Sequence, residues 1–201
     1  MLTIGLTGPS GAGKGAVAAC FAAYGIPSID TDAVYHALLV PPSVCLDELV
    51  ERFGETILAP DGSLNRKTLA ALVFAPGQEA ALADLNRITH RHVLAAARRR
   101  LAEYAAEGVP AVLVDAPQLY ESGFDAECDY VLAVLAPRDL RLRRILERDG
   151  LDEARALARI NAQKNDDFFR ERAHAVLVND RDRSALTDEV AALLRRWEVL
   201  P

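Results

Sequence analysis

The residues best suited to chemistry lie in a glycine-rich loop near the start of the chain. Residues 8–15 read GPSGAGKG, which contains the spacing G-x-x-x-x-G-K that is typical of a phosphate-binding (Walker A) loop. Glycines let the backbone curl until successive N–H groups point at one anion, and Lys14 adds a mobile positive charge. The loop therefore predicts a site for the phosphates of a nucleoside triphosphate.

The two residues after Lys14 depart from this motif. A Ser or Thr usually follows the lysine and binds Mg²⁺ through its hydroxyl, whereas this chain has Gly15 and Ala16, whose side chains carry no oxygen. Two alternatives stay open at this point. Either Mg²⁺ is held by water, the nucleotide and carboxylates, or the site is weakened.

The segments that flank the loop supply the structural context that the motif requires. The apolar run at 2–6 predicts a strand, and the residues after the loop have helical spacing until Gly25 ends the helix. A second short strand is predicted at 27–29. The chain thus opens as β-loop-α-β, which is the beginning of a parallel sheet, and the helix N-terminus adds partial positive charge at the loop.

The remaining pattern predicts an α/β fold with two inserted helical regions. Continuous apolar runs at 111–114 and 130–135 are typical of strands buried on both faces, and a last strand is predicted at 175–178. An Asp-Gly pair at 61–62 predicts a turn. The predicted helices cover residues 33–39, 46–53, 66–74, 79–107, 139–148, 152–163 and 184–197.

Composition narrows the class of protein. The chain has 201 residues and a net charge of −6, so whole-surface attraction to nucleic acid is not expected. No segment resembles a membrane span or a signal peptide. Three widely spaced cysteines without a Cys-x-x-Cys pair argue against disulfides and zinc and favour a reducing cytoplasm. They are expected to be small thiols that are buried or half-buried.

Four charged side chains are candidates for work on phosphates. Asp32 follows the second strand, where ligand sites of α/β proteins form, and could accept a proton or orient Mg²⁺. Its alternative role is to cap the next helix, but Asp30 is the favoured residue for capping or support. Asp115 follows a buried strand and is either a water-mediated Mg²⁺ ligand or a turn residue. Arg144 and Arg148 share one helix face, either over a triphosphate or in solvent within a run of seven arginines between 138 and 159.

From residue 25 onward the chain resembles the dephospho-CoA kinase family, whose members phosphorylate the ribose 3′-hydroxyl in the last step of coenzyme A synthesis. Residues 25–32, GIPSIDTD, match the family's G-I-x-V-I-D-A-D. Residues 85–90, LNRITH, resemble L-x-x-I-T-H-P, and residues 115–121, DAPQLYE, resemble D-x-P-L-L-F-E. Segments 61–69, 144–150 and 159–163 continue the likeness.

The resemblance implies a phosphate-loop NTPase-type parallel sheet flanked by helices, with an inserted acceptor-binding region and a helical lid. The nucleotide-binding core would comprise 1–30, about 109–137 and 171–201. The acceptor-binding insertion would cover about 31–108, and the lid about 138–170. The implied cofactors are ATP and Mg²⁺ and the implied substrate is dephospho-CoA, with no nucleic-acid or membrane partner. An oligomeric state is not indicated.

The resemblance also implies roles for individual residues. Catalysis is expected from Lys14, Asp32 and Arg144. ATP binding is expected from Gly8, Gly11, Ala12, Gly13, Lys14, Gly15, Ala16, Arg144 and Arg148, with Arg159 as a weaker member. Acceptor binding is expected from Asp32, Arg66, Lys67 and His90, and Mg²⁺ binding from Asp32 and Asp115.

Simpler interpretations remain for the acceptor residues. His90 could be a hydrogen-bonding residue at a helix start, where Arg91 replaces the family's proline and alters the start signal. Arg66 and Lys67 could be exposed at the start of a helix.

Two other functions fit parts of the sequence. A nucleoside-monophosphate kinase would share the core and the lid, although segments 30–32 and 88–90 argue against it. A non-catalytic nucleotide-binding paralogue is conceivable because of Gly15 and Ala16. A GTPase is disfavoured because no Asn-Lys-x-Asp motif is present.

Overall fold

A computed structural model describes residues 1–200 and contains one five-stranded sheet in the order β2-β3-β1-β4-β5. Strand β1 lies at its centre and pairs in parallel with β3 and β4, and β4 pairs in parallel with β5. The central strands are almost wholly buried, as their continuous apolar runs predict. The strands are β1 Leu2–Thr7, β2 Ser28–Asp30, β3 Ala111–Asp115, β4 Tyr130–Leu135 and β5 Ala175–Val178.

Nine α-helices are present in the described residues, together with short 3₁₀ turns at Glu55–Ile57 and Phe124–Glu127. The helix predicted after the phosphate loop is present, and the seven helices predicted further along the chain are present with small differences at their ends. The helix α8 was not predicted. The helices are α1 Lys14–Ala23, α2 Thr31–Ala37, α3 Val44–Phe53, α4 Arg66–Val73, α5 Glu79–Ala106, α6 Arg138–Asp149, α7 Glu153–Asn161, α8 Asp166–Arg172 and α9 Arg183–Arg196. None of these helices is long and apolar enough to cross a membrane.

The chain forms two compact units, each with its own apolar core. The first comprises residues 1–29 and 103–201 and contains the sheet, and segment 138–170 belongs to it. Its largest core cluster joins β1, β3 and β4 to α1 and α9 through Leu6, Phe21 and Leu194. The second comprises Asp30–Ala102 and is mainly helical, with a core around Leu49, Ile57 and Leu69.

The loop that follows β1 packs closely against neighbouring backbone and side chains. Gly13 has a φ of 99°, in the left-handed region, and a Cβ at this position would lie 2.0 Å from Nδ2 of Asn179. A Cβ at Gly11 would lie 2.6 Å from the backbone oxygen of Arg141. Gly15 differs, because a Cβ there would meet no atom within 4 Å. Glycine is therefore required at positions 11 and 13 and not at position 15.

Replacement of Gly13 by alanine should destabilise the protein, because an L-residue in the left-handed region costs about 1–2 kcal/mol before the clash is counted. Gly15→Ala is the matched control. It adds the same methyl group in open space within α1, and should increase the free energy of unfolding by up to about 1 kcal/mol. Urea unfolding of both variants measures the difference, and equal shifts would contradict the packing described here.

Candidate active site

Lys14 is the first residue of α1 and lies where the phosphate loop meets the helix N-terminus. Its Nζ donates a hydrogen bond of 3.0 Å to the carbonyl oxygen of Gly8, so the ammonium group is folded back along the loop. The first turn of α1 has no acidic residue and no side-chain cap. The partial positive charge of this helix end is therefore left for an anion, which is the arrangement that binds phosphates in other proteins.

Gly15 and Ala16 occupy the first turn of α1 and are both exposed. Neither side chain carries an oxygen, and the backbone N–H of Ala16 already donates to the carbonyl oxygen of Gly13 at 3.0 Å. The site therefore has the amides and the cation of a phosphate loop without the hydroxyl that usually binds the metal.

Arg144 reaches the loop from α6. Its Nη1 donates to the carbonyl oxygens of Gly11 and Ala12 at 3.2 Å each, and its Nη2 donates to the carbonyl oxygen of Asn179 at 3.2 Å. The guanidinium group thus holds the loop by its carbonyl side. The contact of Arg144 with a triphosphate stays a prediction.

Arg148, one turn further along α6, is exposed and pairs with its neighbour Asp149. Two hydrogen bonds of 2.7 and 2.9 Å join their side chains, and Arg159 also donates to Asp149. The hydrogen bond from Arg148 lowers the pKa of Asp149 to about 2 and raises the pKa of Arg148. Arg148 also lies 3.4 Å from Oγ of Ser10 through its Nη2, which places it at the outer end of the loop.

Three residues at the loop were not identified as functional from the sequence. Asn179 directly follows β5, is 7% exposed, and donates from Nδ2 to the carbonyl oxygen of Ala12 at 2.9 Å. Arg141 in α6 is 5% exposed, although it looked like one more solvated arginine. Gln163 follows α7 and accepts a hydrogen bond from the backbone N–H of Ser10 at 3.0 Å. A signal existed for Asn179, since a polar residue after a buried strand is the criterion that selected Asp115.

Asp115 is the last residue of β3 and pairs in register with Leu6 of β1, just before the phosphate loop. The residue is half-buried. Among residues 1–200, no group of three or more His, Cys, Asp or Glu side chains could hold a metal ion by itself. Asp115 is therefore at most one contributor to a metal site.

Asp32 lies in the second unit, in the first turn of α2, and is exposed. Asp30 is the N-cap of α2, as expected, so the alternative in which Asp32 caps the helix is wrong. Oδ1 of Asp30 accepts from the backbone N–H groups of Asp32 and Ala33 at 2.9 and 3.0 Å. The carboxylate of Asp32 is consequently not needed for capping.

The other predicted acceptor residues also lie in the second unit. Arg66 and Lys67 are exposed and begin α4, as expected, and Nη2 of Arg66 lies 2.7 Å from Nδ1 of His36. The helix-start interpretation of His90 is wrong, since His90 lies in the middle of α5, which runs from Glu79 to Ala106. Arg91 continues that helix and forms an ion pair with Glu48.

The amino-acid sequence is similar to those of known kinases. Residues 2–184 match the dephospho-CoA kinase family. A dephospho-CoA kinase of Anaeromyxobacter dehalogenans is 43% identical over 195 residues, which are 96% of this chain and 91% of that protein.

Solved structures show the same similarity in three dimensions. A protein of Thermus thermophilus superposes with a TM-score of 0.80 and 33% identity over 97% of both chains. A dephospho-CoA kinase from Campylobacter jejuni superposes with a TM-score of 0.70 and 23% identity, over 96% of this chain and 95% of that one, and so shares the fold. The chain therefore belongs to the dephospho-CoA kinase family and has the phosphate-loop kinase fold that its sequence predicts.

Proposed function

We propose that this protein transfers the γ-phosphoryl group of ATP to the ribose 3′-hydroxyl of dephospho-CoA. The observation that carries the proposal is the loop between β1 and α1, where Lys14 and the uncapped helix N-terminus form a site for a polyphosphate. Membership of the family supplies the acceptor. A cytoplasmic location is part of this proposal, because the three cysteines of the described chain are free thiols, as is usual in a reducing compartment.

The donor site would act mainly by position and charge. Phosphoryl transfer has a loose transition state with negative charge on the transferred oxygens, so it needs orientation and neutralisation more than covalent chemistry. The loop amides would hold the β- and γ-phosphates. Lys14 would leave the Gly8 carbonyl and follow the moving phosphoryl group, while Arg148 would add charge from the outer end of the loop.

The acceptor side would use residues of the second unit. Asp32 would accept the proton of the attacking hydroxyl, because Asp30 already caps α2 and leaves the carboxylate of Asp32 available. Arg66 and Lys67, exposed at the start of α4, would meet the diphosphate of dephospho-CoA, with His90 as a further polar contact.

The residues present fit a Mg²⁺ ion that is bound mainly by water and nucleotide phosphates, with one or two carboxylates from the protein. This ion usually keeps several waters and binds through one or two carboxylates together with substrate phosphates. Asp115, half-buried at the end of β3, supplies one carboxylate beside the strand that leads into the loop, and Asp32 is the second candidate. Bound Mg²⁺ would neutralise charge on the phosphates as the terminal group leaves.

The acceptor is tested by a coupled assay that offers dephospho-CoA, AMP and CMP with ATP. We expect kcat/KM for dephospho-CoA to exceed that for either nucleotide by more than about tenfold, because a site built to bind polar groups rejects substrates that lack them. Equal or inverted preference would instead support a nucleoside-monophosphate kinase. Nucleotide binding without turnover on any acceptor would identify a non-catalytic paralogue.

The role of Asp32 is tested by Asp32→Asn, with Asp30→Asn as the matched control. Both variants lose one carboxylate in the same turn, and both keep an oxygen that accepts hydrogen bonds. Asp32→Asn should lower kcat by about 10²- to 10⁴-fold with little change in Tm, since the amide cannot take a proton. Asp30→Asn should retain most activity because capping needs only the acceptor oxygen. Comparable losses in the two variants would remove Asp32 from the mechanism.

The missing hydroxyl predicts a high Mg²⁺ requirement. The double variant Gly15→Ser with Ala16→Thr should reach half-maximal rate at lower Mg²⁺ concentration, because a protein oxygen replaces a water on the ion. The change is sterically allowed, since a Cβ at Gly15 meets no atom within 4 Å and Ala16 is exposed. Titration of Mg²⁺ against initial rate for both proteins decides the matter. Identical curves would show that the hydroxyl plays no part here.

A further inference from the structure

Ser10, in the middle of the phosphate loop, is held by two side chains that are also bonded to each other. Nε of Arg141 donates to the carbonyl oxygen of Ser10 at 3.0 Å, and the N–H of Ser10 donates to Oε1 of Gln163 at 3.0 Å. Nη2 of Arg141 donates to the same Oε1 at 3.1 Å. Three hydrogen bonds thus close a ring that fixes both backbone polar groups of one loop residue.

We propose that Arg141 and Gln163 form a positioning pair that sets the shape of the phosphate loop for ATP. Neither residue needs to touch the nucleotide for this. The inference rests on the proposed use of the loop for ATP, and adds to it the residues that hold the loop in its binding conformation.

The burial of Arg141 favours this role over a surface one. The residue is 5% exposed, and Oδ1 of Asp166 lies 3.9 Å from its Nη1, beyond hydrogen-bond distance. Burying a guanidinium group without a close carboxylate is costly unless its N–H groups find good acceptors. The loop carbonyl and Gln163 are those acceptors. Burial correspondingly lowers the pKa of Arg141.

Arginines of α6 bind three successive carbonyl groups of the loop. The carbonyl oxygens of Ser10, Gly11 and Ala12 all accept hydrogen bonds from side chains of α6, namely Arg141 and Arg144. A cation bonded to a carbonyl polarises the peptide unit, which makes the N–H of the next residue a better donor. The pair therefore acts on the amides that would face the phosphates, through position and through polarisation.

Gln163 links the loop to the segment that follows α7. It lies two residues after the end of α7, which packs on α6 through Ile145, Ala156 and Ile160. The sequence predicted that α7 continues to residue 163, but the helix ends at Asn161. Gln163 therefore lies in the segment after α7 and contacts the loop from there.

The test measures the ATP dissociation constant, kcat and both KM values for Arg141→Gln, Arg141→Lys, Gln163→Ala and the double variant Arg141→Gln with Gln163→Ala. Arg143→Gln is the matched control, because Arg143 is exposed on the same helix and the change in charge is equal. Thermal unfolding of every variant reports the fold separately.

Arg141→Gln should weaken ATP binding by about tenfold or more, the value of a hydrogen bond to a charged group, with KM for dephospho-CoA unchanged. Arg141→Lys should recover only part of the lost ATP affinity. Lysine keeps the positive charge, but its ammonium group lacks the planar fork with which a guanidinium group donates to two acceptors. The double variant should be no weaker than Arg141→Gln alone, because both side chains act through Ser10. Arg143→Gln should match the wild type.

Several results would overturn the inference. One is unchanged ATP affinity in Arg141→Gln despite a lower Tm, and another is additive losses in the double variant. If Arg141→Gln does not fold, Gln163→Ala decides the question alone, because Gln163 is exposed and its loss should leave the core intact. Unchanged ATP affinity in that variant would then refute the pair. A wild-type protein that does not bind ATP would instead refute the proposed function.

Discussion

The carbonyl groups of the phosphate loop need hydrogen-bond partners, and much of the site follows from this requirement. The loop leaves the buried strand β1 and turns through glycines, so the carbonyl oxygens of Ser10, Gly11 and Ala12 lie outside the sheet and before the first bonds of α1. Buried backbone groups without partners are costly. Here Arg141, Arg144 and Asn179 provide the missing donors. The side chains that stabilise the loop would therefore also fix the orientation of its backbone N–H groups.

This requirement links elements that are distant in the chain. Asn179 lies 167 residues from Ala12, yet the sheet order puts β5 beside β4 and β4 beside β1, so the end of β5 reaches the loop. The helix α6 follows β4 directly and brings its arginines to the same edge. The parallel sheet therefore gathers the loop, α6 and Asn179 at the carboxyl ends of its strands, where ligand sites of such sheets form.

The parts of this structure that depend on local pattern could be predicted from the sequence. The phosphate loop, the buried strands β3 and β4 and the long helix α5 follow from motif spacing and apolar periodicity. The helix α8 has only seven residues, too few for a clear period, and its cap Asn165 was not recognised as a start signal. The helix predicted over 79–107 already included His90, so the family's proline at the next position misled only the interpretation of His90 as a helix-start residue.

The parts that depend on tertiary contact could not be predicted. Arg141 stands among seven arginines of similar appearance, and only the proximity of Ser10 and Gln163 distinguishes it. The cap of α2, in contrast, was assigned correctly to Asp30 from its place directly before the helix. Because the seven arginines look alike in the sequence, it offered no way to rank Arg141 above the others.

The pairing of Arg148 and Arg159 with Asp149 changes how a nucleotide would be received. Asp149 is a built-in counter-ion for two arginines beside the loop. A triphosphate that recruits Arg148 must displace this carboxylate, so binding exchanges one anion for another. In the free protein, Asp149 already neutralises part of the positive charge of these arginines. Nucleotide binding would therefore release fewer dissolved anions than it would from unpaired arginines. We therefore expect nucleotide affinity to depend less steeply on ionic strength than the seven arginines between residues 138 and 159 would suggest.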